Sequence, residues 1–148
     1  MSSRPLWQWS AVELAASIRD RTVRATDAVA SAFERLDAAN PAVNAVTLPL
    51  REEAMAAADK ADQIVSCGVA LGPLHGVPVT IKENIDQDGL PNTNGLPAMA
   101  DNIAPADSPV AANLKRAGAI VIGCTNTPEF SYRWFTDNPL RGQTLNPW

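Results

Sequence analysis

The sequence predicts an α/β fold, with a helical front followed by a strand–helix–strand (βαβ) unit of a mostly parallel sheet. Three observations predict it. Apolar residues recur at helical spacing through about the first 70 residues. Two β-branched runs, 77–85 and 119–123, then flank a helix-like stretch that opens at Ser108-Pro109. The second run, Ala119-Ile120-Val121-Ile122-Gly123, has no polar position, as in a parallel strand buried on both faces.

The first helix opens at Ser10. Ser10 and Glu13 have the spacing of a capping box, and Trp9 precedes them as a hydrophobic staple. Val12, Leu14, Ala15 and Ile18 form its apolar face, and Arg19, Asp20 and Arg21 mark its polar end. A second helix is expected from about Thr26 to Ala39. Its apolar residues Val29, Phe33 and Leu36 recur at helical spacing, and Asn40-Pro41 is the expected stop. After a short extended stretch at 43–48, a third helix is expected over 49–65. Pro49 would occupy its first turn, where a missing N–H is harmless. Ala54, Ala57, Ala58 and Ala61 give it a face for close packing, and Cys67-Gly68 is its exit.

The second half changes character. Pro78 fits only near the start of the first strand, because proline cannot donate to a central ladder. Residues 86–107 carry Asp88-Gly89, Pro91-Asn92, Asn94-Gly95, Pro97 and Pro105, which signal a long loop. Loops of that length in a compact domain are functional or disordered. Ser108 then caps a helix with Pro109 at its first position and Val110, Leu114 and Ala117 on one side. Lys115, Arg116 and Gly118 end it, and the strand 119–123 follows. From Cys124 onward the chain is polar and irregular, and two parallel strands alone leave sheet edges unpaired. The chain thus reads as the front of a larger fold. Its expected organisation is the N-terminal part of one domain, helical over about 1–70 and strand–helix–strand over about 71–148.

Composition excludes several classes. A chain of 148 residues, 46% apolar and 19% charged, is globular and long enough to bury a core. Its net charge of −4 gives no support for a nucleic-acid surface. No apolar run approaches the ~18–20 residues of a membrane span, and the N-terminal segment lacks a signal-peptide core. Two distant cysteines, Cys67 and Cys124, and one histidine do not make a metal site; both cysteines are expected as buried small residues in a reducing, cytoplasmic setting.

The residue that asks for an explanation is Lys82. It stands near the end of an apolar strand, at a junction with a loop, where α/β folds place chemistry. A lysine works as a base only when neutral; burial favours that form and a nearby carboxylate opposes it. Strand alternation turns Glu83 to the opposite face and leaves the uncharged Thr80 and Asn84 on the lysine's side. Asp86 shares that side but lies ~13 Å along an extended strand. The pattern allows a neutral lysine that takes a proton from a hydroxyl. The plain alternative is a lysine that snorkels from a strand end into water.

Several stretches together carry a resemblance: LGPLHGVPVTIKENIDQDGLP from Leu71, SPVAANLKRAGAIVIGCTNTPEFSY from Ser108, and RGQTLNPW from Arg141. In order and spacing they resemble the amidase signature family, and the resemblance extends to the helical front with its NPAVNAV segment. It implies the N-terminal part of the amidase-signature α/β fold. It also implies a serine hydrolase that cleaves carboxamides to a carboxylate and ammonia or an amine. In that family a lysine, a serine in a cis peptide and a nucleophilic serine carry the reaction, and Lys82 in VTIKENID stands at the lysine's place. The family's Gly-Gly-Ser-Ser-Gly-Gly stretch lies beyond the NPW motif, and its nucleophilic serine lies later still. Neither falls within these 148 residues, and Ser108 and Ser131 match neither motif. Cys124 replaces the family's usual basic residue.

The resemblance further implies a small-molecule amide substrate, no cofactor, no nucleic-acid or membrane partner, and a complete enzyme able to form homo-oligomers. Without the serines the chain is expected to be inactive alone. The alternatives are a truncated, non-catalytic product with a binding or assembly role, and the glutaminase subunit of a tRNA-dependent amidotransferase. Other residues are weaker candidates. His75 reads as a hydrogen-bonded structural histidine, Glu53, Lys82 and Cys124 have no nitrilase-like surroundings, and Tyr132, Trp134 and Phe135 read as core or cover. The glycines fit no phosphate-binding spacing.

Overall fold

The computed structural model describes residues 4–148. Three long helices, α1 (Ala11–Arg19), α2 (Ala25–Val43) and α3 (Arg51–Ser66), occupy the first half, with strand β1 (Val46–Pro49) between the last two. Strand β2 (Pro78–Lys82), helix α4 (Pro109–Arg116) and strand β3 (Ile120–Thr125) follow. The sheet order is β1-β3-β2. Ile120 N donates to Val77 O and Glu83 N to Thr125 O, so β2 and β3 run the same way, as the βαβ reading expects. β1 joins β3 antiparallel and makes the sheet mixed.

The chain divides into two compact units. One comprises residues up to Asp37, Leu50–Val79 and Leu114–Ile122; the other comprises Ala38–Pro49, Thr80–Asn113 and Gly123–Trp148. The first unit holds the apolar core. Leu14 and Ile18 of α1, Val29 and Phe33 of α2, and Ala54, Ala58 and Ala61 of α3 are buried there with Val77, Ile120 and Ile122. The small alanine face lets α3 pack closely, although Ala57 is exposed, as are Val12 on α1 and Val110 on α4.

Polar side chains of this unit close helix ends. Asp62 of α3 accepts from the Ala25 and Thr26 backbone N–H groups and from the Thr26 hydroxyl, satisfying donors that the start of α2 leaves open. Arg21 Nη2 donates to Val65 O at the end of α3. The α1 capping box forms as its spacing predicts: Glu13 N donates to Ser10 Oγ, and Ser10 N donates to the Glu13 carboxylate. His75 is buried with Nε2 3.0 Å from Ala61 O, a structural histidine.

Three boundaries differ from the sequence expectation. Helix α2 does not stop at Asn40-Pro41 but runs to Val43. Pro41 falls in its last turn, and Asn44, left-handed at φ 54°, ends it by donating to Asn40 O. Pro49 ends β1 opposite Gly123 instead of opening α3, whose cap position is Leu50. Strand β2 ends at Lys82, not at Ile85. Cys67 is exposed at the end of α3, contrary to expectation, whereas Cys124 is buried. Among the described residues, no helix is long and apolar enough to cross a membrane.

Candidate active site

The second unit has a polar interior where the first has an apolar one. Glu83, Gln87, Thr93, Asn126, Thr127 and Asn138 are all buried in it. Such an interior is stable only if its groups are paired, and nearly all of them are.

The end of β2 organises this interior. Alternation places Ile81 and Glu83 on the buried side and Thr80 and Lys82 on the other, as the sequence reading requires. Glu83 is 1% exposed, and its carboxylate accepts from the hydroxyls of Thr93 and Thr47 and from Arg141, Nη2 of which is 3.2 Å away. The Thr47 contact depends on an irregularity in the sheet. Between Val46 and Leu48 the β1 register slips by one residue, and a bulge of this kind re-aims the side chain of the extra residue.

On the other side, Lys82 is half-buried and its Nζ lies 3.2 Å from Ser131 Oγ. Asn84 Nδ2 donates to the same oxygen at 2.9 Å, and Thr127 Oγ1 lies 3.0 Å from it. Asn84 therefore does share the lysine's side, although the strand has already ended. The Asp86 carboxylate is engaged elsewhere, accepting from Asn92 Nδ2. Ser131 reaches this position through a strained turn. Phe130 (φ 48°, ψ 19°) and Ser131 (φ 60°) are both left-handed, which costs a non-glycine residue roughly 1–2 kcal/mol each. Three hydrogen bonds hold the turn: Phe130 N to Asn94 O, Ser131 N to Pro128 O, and Tyr132 N to Glu129 O. Strain that the surroundings over-determine in this way clusters at functional sites.

The loop behind the turn is ordered by Asn138 and Asn126. Asn138 Nδ2 donates to Asn126 Oδ1 and to Thr127 O, while its Oδ1 accepts from the Leu140 and Arg141 backbone N–H groups. The long loop 86–107 is ordered too. Asn92 N donates to Asn102 O, Ala104 N to Leu90 O, and Asp88 N to Asp107 Oδ1.

Other sequence candidates fall elsewhere. Cys124 is buried with Gln87 Nε2 3.2 Å from its sulfur, and burial pushes its thiol up, which disfavours the thiolate a nucleophile needs. Glu53 is exposed in the first turn of α3. Tyr132, Trp134 and Phe135 are exposed and belong to no core. Sequence reasoning missed Ser131, Thr127, Thr47 and Arg141. No glycine marks the left-handed turn that delivers Ser131, and nothing local to Thr47 announces a bulge.

The site thus sets a lysine amine at a parallel-strand end of an α/β protein beside the Ser131 hydroxyl, on the side of the strand opposite the buried Glu83 carboxylate. An amine and a hydroxyl so placed are groups between which a proton can move. Comparison with known proteins gives the family. The amidase family model matches residues 27–148. Indoleacetamide hydrolase of Bradyrhizobium diazoefficiens is 59% identical over 144 residues, covering 97% of this chain and 28% of that protein. A glutamyl-tRNA(Gln) amidotransferase subunit of Acidothermus cellulolyticus is 37% identical over 139 residues, covering 94% of this chain and 28% of that protein. A solved bacterial aryl acylamidase of the amidase signature family superposes with a TM-score of 0.91 at 27% identity, over 97% of this chain and 30% of that one. The chain belongs to the amidase signature family, and it spans less than a third of the length of these relatives.

Proposed function

We propose that this chain is the lysine-bearing part of a serine amide hydrolase and that Lys82 is its proton-transfer residue. The observation that carries this reading is the Lys82 amine held 3.2 Å from a hydroxyl at the end of β2, on the side of the strand opposite the Glu83 carboxylate. A neutral amine so placed takes the proton of an attacking serine hydroxyl as the carbonyl becomes tetrahedral. It returns that proton to the departing nitrogen, so that an acyl-enzyme and ammonia or an amine result. Water repeats the sequence and releases the carboxylate. The serines of that mechanism belong to motifs outside these 148 residues, so on this reading the chain alone has no amide turnover.

The 59% identity to an indoleacetamide hydrolase supports an aryl-substituted primary amide as substrate. A second reading, the ammonia-producing subunit of an amidotransferase, rests on the 37% identity to the glutamyl-tRNA(Gln) amidotransferase relative. The test is Lys82→Ala in the enzyme of full family length carrying this segment, assayed on aryl acetamides and on glutamine. A loss of about 10²–10⁴-fold in kcat with folding intact is expected. Near-normal turnover would remove Lys82 from the mechanism, and turnover of glutamine alone would favour the second reading.

A further inference from the structure

From the hydrogen-bond geometry around Ser131, we infer that Ser131 and Thr127 are positioning residues that steer the Lys82 amine; this rests on the reading of Lys82 as the proton-transfer residue. Ser131 Oγ has three neighbours: Lys82 Nζ, Asn84 Nδ2 and Thr127 Oγ1. A hydroxyl offers one hydrogen and two lone pairs, so three contacts saturate it. Asn84 Nδ2 only donates, which uses one lone pair. Thr127 Oγ1 lies 3.0 Å from Pro128 O, a group that only accepts, so the Thr127 hydrogen is used there. Ser131 therefore gives its hydrogen to Thr127 and receives one from Lys82. The chain of donation runs outward, from Lys82 to Ser131 to Thr127 to the Pro128 carbonyl.

Turning the Asn84 amide over does not redirect this chain toward the lysine. Its oxygen would then face Ser131 and claim the serine hydrogen, and Lys82 would still be the donor. With the amide as it stands, Asn84 Oδ1 is buried without a partner, and overturning would leave the nitrogen there instead.

The consequence is directional. A neutral amine has two hydrogens and one lone pair. Committing one N–H to Ser131 fixes the nitrogen and keeps the lone pair pointing away from Ser131, available to another hydroxyl. A serine hydrogen turned onto Lys82 would instead occupy that lone pair. Thr127 prevents this by accepting the hydrogen, and the strained turn at Phe130 and Ser131 holds the acceptor in place.

Neutron diffraction from deuterated crystals of the full-length enzyme carrying this segment reads the hydrogens directly. Deuterium on Ser131 Oγ directed at Thr127 Oγ1 is expected; deuterium directed at Lys82 Nζ would overturn the inference, and deuterium directed at the Asn84 amide would refute the part given to Thr127. In the same enzyme, Ser131→Ala and Thr127→Val should each lower kcat by roughly 10- to 100-fold, the scale of a misplaced reacting group, with KM little changed. Thr127→Ser, which keeps the hydroxyl, should restore the rate, whereas a purely structural role would predict loss in proportion to the fall in melting temperature. Lys82→Ala separates the two levels. Full activity in that variant refutes the role of Lys82, while the diffraction result still judges the hydrogen-bond direction. Loss in Lys82→Ala with normal kcat in Ser131→Ala and Thr127→Val refutes the positioning role alone.

Discussion

Arg141 closes on Glu83 across 58 positions of sequence, with Nη2 3.2 Å and Nε 3.4 Å from the same carboxylate oxygen. The pair is asymmetric. The Glu83 side chain is 1% exposed and that of Arg141 is 27% exposed, so losing the arginine strands a buried charge, whereas losing the carboxylate lets the arginine turn to water. Arg141→Ala is expected to destabilise the protein by about 1–3 kcal/mol, the cost of an unpaired buried group. Glu83→Gln, which keeps one oxygen for Thr93 and turns its NH2 to Thr47 Oγ1, a group that also accepts, should cost less. Urea unfolding of both single variants and the double variant measures the coupling, and equal costs for the two singles would contradict the asymmetry.

The two cysteines should behave oppositely. Cys67 is exposed at the end of α3, and Cys124 is 1% exposed beneath Gln87. A thiol reagent should modify Cys67 at once and Cys124 only at the rate of unfolding. Desolvation pushes the Cys124 thiol up, ahead of the smaller influences of Gln87 and the Glu83 charge. A group raised on folding gives stability that is complete below its unfolded value, about 8.5 for a thiol, and that fades as pH rises through the folded one. Alkaline pH should therefore weaken the native protein more than it weakens Cys124→Ala. Matching pH profiles of melting temperature in the two proteins would refute this.

The parts of the fold legible in the sequence were those fixed by local chemistry. The Ser10–Glu13 cap, the Ser108-Pro109 start of α4 and the Gly68 exit of α3 depend on residues within one turn. Of the boundaries that differ, one turns on a residue just past the helix and another on long-range pairing. Asn40-Pro41 reads as a stop because proline disfavours the helical conformation of the residue before it, yet the helix runs on until Asn44, whose left-handed backbone ends it three residues later. Pro49 looked like a helix start because its pairing with Gly123 is 74 positions distant (123 − 49). At the candidate site, a charge in a β-branched strand is enough to single out Lys82, and alternation is enough to put it opposite Glu83. Ser131 is not singled out, since its contact with Lys82 spans 49 positions and rests on two left-handed residues that carry no glycine signal. The aromatic residues beside it misled for a related reason. Apolar character alone suggests burial, yet Tyr132 and Trp134 are exposed.

The start of α1 should loosen in acid. The Ser10 backbone N–H is the main influence holding the Glu13 carboxyl below its ordinary range, followed by the Ser10 hydroxyl and, more weakly, Arg4. A carboxyl depressed on folding gives stability that is present above its unfolded value and lost as pH falls through the folded one. Amide shifts of Ser10 and Glu13 should therefore titrate at a pH below that of an unperturbed glutamate. In Ser10→Ala, which removes the hydroxyl and frees the cap, that titration should move back up. An unchanged midpoint would mean the capping box does not persist in solution.

Glycines 68 and 118 are both left-handed, at φ 70° and φ 88°, but only one is crowded. A Cβ at Gly68 would meet nothing within 4 Å, so Gly68→Ala should cost only the backbone term of about 1–2 kcal/mol. A Cβ at Gly118 would stand 2.8 Å from His75 Cα and 3.1 Å from His75 N. Backbone cannot swing aside as a flexible side chain does, so the turn leading into β3 and the His75 segment would have to part. His75 is itself held by its hydrogen bond to Ala61 O and by the Gly76 N–H bonded to Gly118 O, which resists that movement. Gly118→Ala should therefore destabilise the protein clearly more than Gly68→Ala. Denaturant midpoints of the two variants decide it, and the inference about crowding fails if they coincide.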